Sequence, residues 1–520
     1  MANAATAQPG EPGSGPAQPV MLSSRAQVVA GMVMALSNFM VILDLTVANV
    51  SLPHISGDLG ITLDQGAWVI TSYAVAEAIC VPLTGWLAAR FGTVRVFIVA
   101  MLAFGAFSLV CGLSRSLGVL VMARIGQGLC GAPIMPITQA LMLRVFPPER
   151  RAKAMVGWSM TVLLGPALGP IVGGYISDNF SWQWIFLINV PIAIGCTVVG
   201  GMVLRPVETR TERMPIDAVG LGLLVFWIGC LQIMLDIGRD HDWFGDWRIV
   251  ALAVGAGIGF VAFVIWELTD DHPIVDLRIF RHRGFAVGVV ALAVMFGAYF
   301  SSVVVLPQWL QSSQGYSAQT AGLVTAWTAM TSILTAVFMP RIVDKVDLRL
   351  LISIGTVWFV IQCFNRSGWV TGMDFWSLSR PQIIQGFGMS FFIMPLTQMA
   401  LGAVEPREVA AAAGLQNFLR TIAVAVATSL ILTDWGNEQR IKHNGFADTL
   451  NPDATVHTLS GVGFSPEMVR GYVNNLVDEQ ALTLAMDHTF MLSGIAGLLA
   501  LGLVWLAPRP RPLVAMQAGH

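Results

Sequence analysis

Charged side chains are scarce in this sequence. Only 12% of the 520 residues are Asp, Glu, Lys or Arg, whereas charged residues make up about 25% of an average soluble domain. Hydrophobic residues make up 55%, and the mean hydropathy is +0.69. This composition excludes an ordinary soluble protein and indicates a polytopic membrane protein. The sequence has no basic cluster, and its net charge of −2 gives no reason to expect a nucleic-acid partner.

Lysine and cysteine are also rare, and each shortage excludes a kind of chemistry. None of the three lysines follows a glycine, so the chain lacks the GxxxxGK[ST] loop that cradles phosphates in ATP-hydrolysing proteins. The six cysteines all fall within apolar runs, with no CxxC and no clustered His, which favours packing over a disulfide or metal site. We therefore predict no metal and no cofactor. An ion gradient is then the expected energy source.

Fourteen apolar windows of about 20 residues, long enough to cross a bilayer, follow one another along the chain. They are 28–51, 66–88, 94–113, 117–141, 154–177, 183–204, 217–236, 248–268, 284–307, 320–340, 349–366, 380–402, 408–433 and 487–507. Placing the N-terminus in the cytoplasm puts nineteen Arg and Lys residues inside and eight outside. The eight include Arg366 at the end of a window and three residues of the long segment 435–486. This bias predicts that both termini are cytoplasmic.

An internal repeat predicts the domain organisation. "IMPITQ" at 134–139 returns as "IMPLTQ" at 393–398, eight windows later. An even number of windows means that both copies run in the same direction, as in transporters with parallel repeats. We therefore predict an all-α membrane protein of two six-helix bundles plus two inserted helices. The boundaries are a disordered tail 1–24, an N-terminal bundle 25–205, an inserted hairpin with linkers 206–283, a C-terminal bundle 284–508 that includes a periplasmic loop 435–486, and a tail 509–520.

Four stretches resemble motifs of the major facilitator superfamily, in its fourteen-span drug:proton antiporter branch. "ILDLTVANVSLP" at 42–53 resembles the span 1 signature, and "GWLAARFG" at 85–92 resembles the loop 2–3 motif. Residues 120–132 resemble the span 4 motif, and "GPALGPIVGG" at 165–174 resembles the span 5 antiporter motif. The resemblance implies a fold of two bundles that alternately open to either side of the membrane.

The gating residues are carried over from that resemblance. They are Gly85, Arg90, Gly92, Gly165, Pro166, Gly169, Pro170 and Gly173. One departure concerns Ala89, which stands where the loop 2–3 motif has a gating Asp, although the matching loop of the second half has Asp344-Lys345. We therefore expect the cytoplasmic gate to be organised differently here.

Longer stretches resemble the inner-membrane exporters of tripartite Gram-negative pumps. They include "WVITSYAVAEAICVPLTGWLA", "GGYISDN", "ETRTER", "IDAVGL", "LQIMLD" and "WELTDDHPIVDL". This resemblance implies drug:proton antiport across the bacterial inner membrane. It also implies an EmrA-like periplasmic adaptor and a TolC-like outer-membrane channel as partners. For the segment 435–486, docking of the adaptor and a lid over the outer mouth both remain open.

A carboxylate in the first window is the leading candidate for proton coupling, because ionisable groups inside a membrane are costly and usually functional. In span 4, Arg124, Gln127, Met135 and Thr138 share one face of a helix. We predict that Asp44 faces Arg124 and exchanges a proton. The alternative is a fixed ion pair that never titrates.

Two further intramembrane charges have open roles. Glu77 is interpreted as a second proton carrier or as part of the substrate site, the alternative being a hydrogen bond to Tyr73. Arg420 is assigned to the substrate cavity, the alternatives being backbone carbonyls or Asp434. The full predicted cavity comprises Gln127, Met135, Thr138, Tyr299, Trp327, Gln385, Phe391 and Arg420.

Three other classes of protein compete with an exporter. An importer of the same fold is disfavoured by the glycine-proline motif of span 5. A polytopic membrane enzyme would need a nucleophile or a His-Asp pair near one membrane face. His54 and His488 are isolated in the sequence, although His488 follows Asp487. A sensor or scaffold is disfavoured by the duplicated halves.

Overall fold

The structure is a computed structural model, which describes residues 22–209, 211, 217–238, 241–271, 273–343, 345–405, 408–449 and 465–508. Over these residues the chain is helical and forms no strand. The predicted tail 1–24 lies outside the described residues up to residue 21, as does the whole of the tail 509–520.

Eighteen α-helices follow one another in the described ranges. They are α1 Ser24–Leu59, α2 Leu63–Cys80, α3 Thr84–Phe91, α4 Thr93–Leu113, α5 Leu117–Gly131, α6 Ile134–Val145, α7 Pro148–Asn179, α8 Trp184–Leu187, α9 Asn189–Leu204, α10 Ala218–Ile237, α11 Trp247–Thr269, α12 Arg283–Ser312, α13 Ala318–Ala336, α14 Met339–Val343, α15 Leu348–Arg366, α16 Phe375–Leu401, α17 Val409–Thr449 and α18 Pro466–Trp505.

All fourteen predicted windows fall on these helices. Twelve segments of the described chain are long and apolar enough to cross a membrane. The windows 154–177 and 320–340 fall on α7 and α13, which are not among the twelve. The all-helical, multi-pass architecture is confirmed, and the count of fourteen spans stays a prediction.

The helices pack in the same pattern twice. In the first half, α1 packs on α7, α2 on α5, and α4 on both α5 and α9. In the second half, α12 packs on α17, α13 on α16, and α15 on both α16 and α18. This is the relation that the parallel sequence repeat predicts. The helices α10 and α11 pack on each other between the two sets.

A stripe of glycines brings α1 and α7 into close contact. A Cβ atom added at Gly165 would lie 2.3 Å from Ile42, and one added at Gly169 would lie 2.1 Å from Thr46. Only a residue without a side chain fits at such distances, as in other small-residue helix contacts within membranes. The contact fixes the position of the middle of α1, where Asp44 lies. The side chains of Pro166 and Pro170 lie outside the described atoms.

The last two spans extend far beyond a bilayer. The helices α17 and α18 have 41 and 40 residues, or about 60 Å each, against a hydrocarbon core of about 30 Å. The predicted loop 435–486 is therefore helical through Thr449 and again from Pro466, and residues 450–464 lie outside the described part of the chain. His443 Nδ1 lies 2.7 Å from the Asp478 carboxylate and joins the two helices. We call this paired region the outer extension.

Replacing Gly169 by Ala should destabilise the protein. The new methyl group would overlap Thr46, and overpacking of this kind costs about 1–3 kcal/mol. We expect the thermal unfolding midpoint of the purified protein to fall by several degrees. The matched control is Gly174→Ala on the same helix, where nothing lies within 4 Å of the added Cβ. Equal midpoints for the two variants would contradict the close contact.

Candidate functional site

The Asp44 carboxylate lies at the centre of a buried polar network in the first bundle. Asp44 is 2% exposed. Arg124 Nη1 donates to its Oδ2 at 2.6 Å, and Asn189 Nδ2 donates to its Oδ1 at 2.7 Å. Gln127 Nε2 donates more weakly to the same Oδ1 at 3.4 Å. The predicted contact between Asp44 and Arg124 is present, and the acid is held by three donors from two helices, α5 and α9.

Arg124 is fully buried, and its remaining contacts compensate only part of its charge. Its Nε donates to the carbonyl of Val69 at 3.0 Å. The guanidinium carbon lies 4.2 Å from the ring centre of Tyr73 and 5.6 Å from that of Phe186, distances at which an aromatic face attracts a cation. Its Nη2 has no hydrogen-bond partner within the described residues. Asp44 is thus the one carboxylate bonded to this cation in the described structure.

A second layer orients the donors to Asp44. The Ser108 hydroxyl accepts from Gln127 at 2.9 Å and from Asn189 at 3.1 Å, and donates to the Phe186 carbonyl at 3.0 Å. Our reading of the sequence missed Asn189 and Ser108. The signal for Asn189 was a single amide within the apolar run "IFLINVPI". Such a network binds a carboxylate well and a neutral carboxyl poorly, since a protonated acid accepts fewer hydrogen bonds.

Glu77 and Arg420 border the space between the two bundles. Both are partly exposed although they lie well inside their helices, and their charges act on each other electrostatically. Arg420 reaches across to the sulfur of Met135 in the other bundle and lies 5.2 Å from the ring centre of Phe296. Of the open alternatives, the Tyr73 hydroxyl makes no hydrogen bond within the described residues.

The alternative partner of Arg420, Asp434, is bonded elsewhere. Its carboxylate lies 3.0 Å from His488 Nδ1, in the outer part of α17 and α18. This contact belongs to the packing of those two helices. Asp434 is therefore not the partner of Arg420, whose contacts are with Met135 and Phe296.

The structure divides the predicted cavity residues into two groups. Gln127 and Gln385 are at most 1% exposed and lie in the interiors of the two bundles. Thr138 is also buried and accepts from Trp158 Nε1 at 3.0 Å. The partly exposed members of the set are Met135, Tyr299, Trp327, Phe391 and Arg420.

The two halves touch at their inner ends, meaning the ends that the charge bias places in the cytoplasm. A Cβ atom added at Gly85 would lie only 3.1 Å from Ala411 Cα. Asn417 Nδ2 donates to Gln139 Oε1 at 2.9 Å, and both side chains are at most 1% exposed. This inner contact joins the two bundles at the ends that the charge bias places in the cytoplasm.

Next to the loop that contains Ala89, a carboxylate from a distant part of the chain binds the start of α4. Gly92 has φ +92°, which glycine adopts without strain, and it starts α4. Glu208, from the linker after α9, accepts from the backbone N–H groups of Val94 at 2.9 Å and Arg95 at 3.0 Å. A carboxylate at a helix N-terminus is stabilising. Arg90 lies 5.4 Å from the Trp86 ring, and Asp344 of the matching loop lies outside the described residues.

The linker that follows the inserted hairpin forms an ion pair just before the start of α17. Arg281 Nη2 lies 2.7 Å from Glu408 Oε1, and His282 Nε2 lies 3.0 Å from Oε2. Partial burial of the Glu408 carboxyl opposes its ionisation. A hydrogen bond from the Glu405 backbone, a hydrogen bond from His282 and the positive charge of Arg281 favour ionisation and outweigh the effect of burial. The pKa of Glu408 therefore lies below its ordinary value. Glu408 directly precedes α17, so both linkers bind at the inner contact.

Comparisons with known proteins agree with this arrangement. The Major Facilitator Superfamily model matches residues 34–428. The "Multidrug export protein EmrB" of Escherichia coli (strain K12) is 42% identical over 490 residues, covering 93% of this chain and 96% of that protein. The "Fatty acid resistance protein FarB" of Neisseria gonorrhoeae is 38% identical over 482 residues, covering 92% and 95%.

One solved structure shows the same fold at low identity. The human organic anion transporter MFSD10 (TETRAN) superposes with a TM-score of 0.57 at 13% identity, covering 92% of this chain and 99% of that one. At this identity the likeness concerns the fold alone.

A disulfide across the inner contact should hold it closed. Cβ atoms at positions 85 and 411 would lie 3.2 Å apart, close to the 3.5–4.5 Å of a disulfide. We expect a protein with Gly85→Cys and Ala411→Cys to form this bond under oxidation and to stop transporting until it is reduced. Mass spectrometry of the linked peptides and transport with and without reductant are the measurements. The single variants are the controls, and full transport by the oxidised double variant would show that the contact need not open.

Proposed function

The chain belongs to the Major Facilitator Superfamily, and from that premise we propose that it exports hydrophobic and amphipathic drugs across the bacterial inner membrane in exchange for protons. Members of this family are transporters, so the chain is not an enzyme. The single observation that carries the proton part of the proposal is the buried Asp44 network. The names of the relatives, which refer to multidrug export and fatty acid resistance, support the substrate class.

The proposed coupling follows from the charge balance at Asp44. With the acid ionised, the 2.6 Å contact to Arg124 joins α1 to α5. A proton on the acid leaves the Arg124 charge without its counter-ion in a medium where an unpaired charge is costly. The two protonation states therefore favour different positions of α1 relative to α5. This is the property that a proton-driven conformational switch requires.

The free energy available per proton is large enough for concentrative export. One charge that moves through about 100 mV releases about 2.3 kcal/mol, and each pH unit adds about 1.4 kcal/mol. In our proposal the bundle 25–205 rocks against the bundle 284–508, and the inner contact of Gln139 and Asn417 breaks and re-forms in each cycle. The hairpin 206–283, through Glu208 and Arg281, anchors both inner ends.

The drug site in this proposal lies where the two bundles face each other. Met135, Phe296 and Arg420 meet there, and Glu77 adds an acid. Flexible thioether and aromatic side chains suit a site that accepts many shapes. A proton on Glu77 would also change the charge that a drug encounters, which makes Glu77 a proposed second coupling residue.

The outer extension is the proposed docking site for an EmrA-like adaptor, which hands the drug to a TolC-like channel. On α18 the side chains of Met468, Tyr472 and Leu476 are 61%, 62% and 41% exposed. Their spacing of four residues places them on one face of the helix. An exposed apolar stripe beyond the membrane is typical of a surface that binds another protein. A helical partner would cover it lengthwise.

Replacing Asp44 by Asn should abolish proton-driven export. The change removes the titratable group and leaves the Arg124 charge unpaired. The measurement is drug transport by proteoliposomes under an imposed pH gradient. A double variant, Asp44→Asn with Arg124→Gln, removes both charges, so it should avoid the unpaired buried charge without restoring coupling.

The matched control for Asp44 is Asp58 on the same helix. Asp58 is exposed and accepts from Trp182 Nε1 at 2.8 Å, so Asp58→Asn should transport normally. Export by the Asp44→Asn protein against a proton gradient at the wild-type rate would sink the coupling proposal.

Polar replacements in the exposed stripe should separate docking from transport. We expect Tyr472→Ser with Leu476→Ser to lose drug resistance in intact cells and co-purification with the adaptor, yet to transport normally in proteoliposomes. Asn475→Ser, exposed on the same turn, is the control. Undiminished adaptor binding by the double variant would place the docking surface elsewhere.

A further inference from the structure

The C-terminal bundle contains a second buried arginine, at the outer end of α15. Arg366 is 4% exposed, although its position next to a predicted loop placed it outside the membrane in the sequence analysis. Its Nη2 donates to the carbonyl of Pro381 at 3.1 Å. The guanidinium carbon lies 5.6 Å from the ring centre of Phe490 and 5.9 Å from that of Trp369. No carboxylate forms an ion pair with it within the described residues.

The surroundings of Arg366 mirror those of Arg124. "FLIN" at 186–189 corresponds to "FMLS" at 490–493, so Phe490 stands for Phe186. Each arginine lies 5.6 Å from its phenylalanine ring. The residue that matches Arg124 in the repeat is Gln382 on α16. The arginine of the second half therefore lies on a different helix, α15. The second half thus has a buried cation on α15 at a similar distance from a phenylalanine ring.

The counter-ion has no equivalent in the second half. The offset of 258 residues that relates Gln127 to Gln385 relates Asp44 to Ser302. Ser302 Oγ donates to Ser493 Oγ at 3.3 Å, where Asp44 accepts from Asn189. The nearest acid along α18 on this side, Asp487, accepts from the backbone of Trp369 instead. The Ser302 hydroxyl thus stands where the first half has the Asp44 carboxylate, while the second half still contains a buried arginine, Arg366.

Three donors on the packed helices α15 and α16, one of them on the cation itself, are unused. Arg366 Nε, Gln382 Nε2 and Gln385 Nε2 have no hydrogen-bond partner within the described part of the chain. All three side chains are at most 4% exposed. A buried charge without a partner is costly, and an unmade buried hydrogen bond costs about 1–3 kcal/mol. A bound acceptor that carries one negative charge would satisfy these donors together.

We propose that Arg366, Gln382 and Gln385 form a binding site for a monovalent anion inside the C-terminal bundle. The ligand is either a small halide or the carboxylate of an exported lipophilic acid, and both present a single negative charge to the same donors. The rings of Phe490 and Trp369 form the apolar wall. The site goes beyond the proposed export function, because binding requires no proton gradient.

The test uses the purified full-length protein in lipid nanodiscs without a gradient. The thermal unfolding midpoint is measured in potassium gluconate with added potassium bromide, 1-naphthoate or uncharged 1-naphthamide, at constant ionic strength. A ligand that binds only the folded state raises the midpoint in a saturable way. We expect bromide or naphthoate, and not naphthamide, to do so. A response to bromide identifies a halide site, and a response to naphthoate alone identifies an organic-acid site.

Two variants test whether the response comes from Arg366. Arg366→Gln should weaken anion binding at least tenfold. Arg349→Gln should not, since Arg349 bonds the Ala507 carbonyl at the opposite end of the same helix. Ser302→Asp keeps Arg366 and supplies an internal counter-ion, so it should raise the midpoint in gluconate and remove the anion response.

The assignment is overturned if no anion stabilises the wild-type protein, or if the response survives in Arg366→Gln or in Ser302→Asp. The Pro381 carbonyl, the two rings and the neighbouring Cys363 and Tyr299 would then suffice to hold the guanidinium. Because the measurement needs no transport, a protein that binds anions but fails to export drugs would refute the proposed function and leave this site standing.

Discussion

The cost of an unpaired charge in a medium without water is the constraint on which this structure depends. Asp44 and Arg124 can both be charged inside the first bundle only because they meet at 2.6 Å and because Asn189 and Gln127 complete the acid's hydrogen bonds. A buried ion pair of this kind contributes little net stability, since desolvation offsets the attraction. In the proposed mechanism, the pair instead gives two conformational states. When one partner is neutralised, the other becomes an unpaired buried charge. This favours a conformation in which that charge is solvated or paired again.

The packing around Asp44 would couple a change in its charge to the positions of the neighbouring helices. The glycines of α7 hold the middle of α1 against α7, so α1 has little freedom to adjust by itself. Arg124 and Gln139 belong to one apolar segment, Leu117–Val145, and fifteen residues separate them, or about 22 Å. The cation of the proposed proton site and the inner contact therefore share a span. In the proposed mechanism, a shift of that span connects protonation of Asp44 to the inner ends.

Helical periodicity and the repeat made much of this predictable from the sequence. Arg124 and Gln127 share a face by spacing alone, and a lone Asp in an apolar window needs a cation. Asn189, Ser108 and Glu208 were not predictable in the same way, because each belongs to a helix or linker far away in the sequence and looks like an ordinary polar residue. Arg366 was placed outside the membrane because charge counting treats every arginine at a window's end as solvated. The segment 435–486 was treated as a long connection with helix-like stretches near 465–486, which the helix from Pro466 matches. The continuation of α17 to Thr449 was missed because its polar residues hide the helical pattern.

The helix α17 connects the inner contact, the contact between the bundles at Arg420 and the outer extension. Its first turns carry Ala411 and Asn417 of the inner contact, Arg420 follows between the bundles, and its last turns form half of the outer extension. The residues that bond it along its length differ at each level: Gln139 from the first bundle, then Met135, then the His-Asp contacts with α18. The 41 residues of α17 include no proline, which is a common cause of a sharp kink in a helix. A partner bound at the outer extension would therefore be mechanically joined to the inner contact through a single element, and the position of α17 would be the quantity that adaptor, drug and proton all influence.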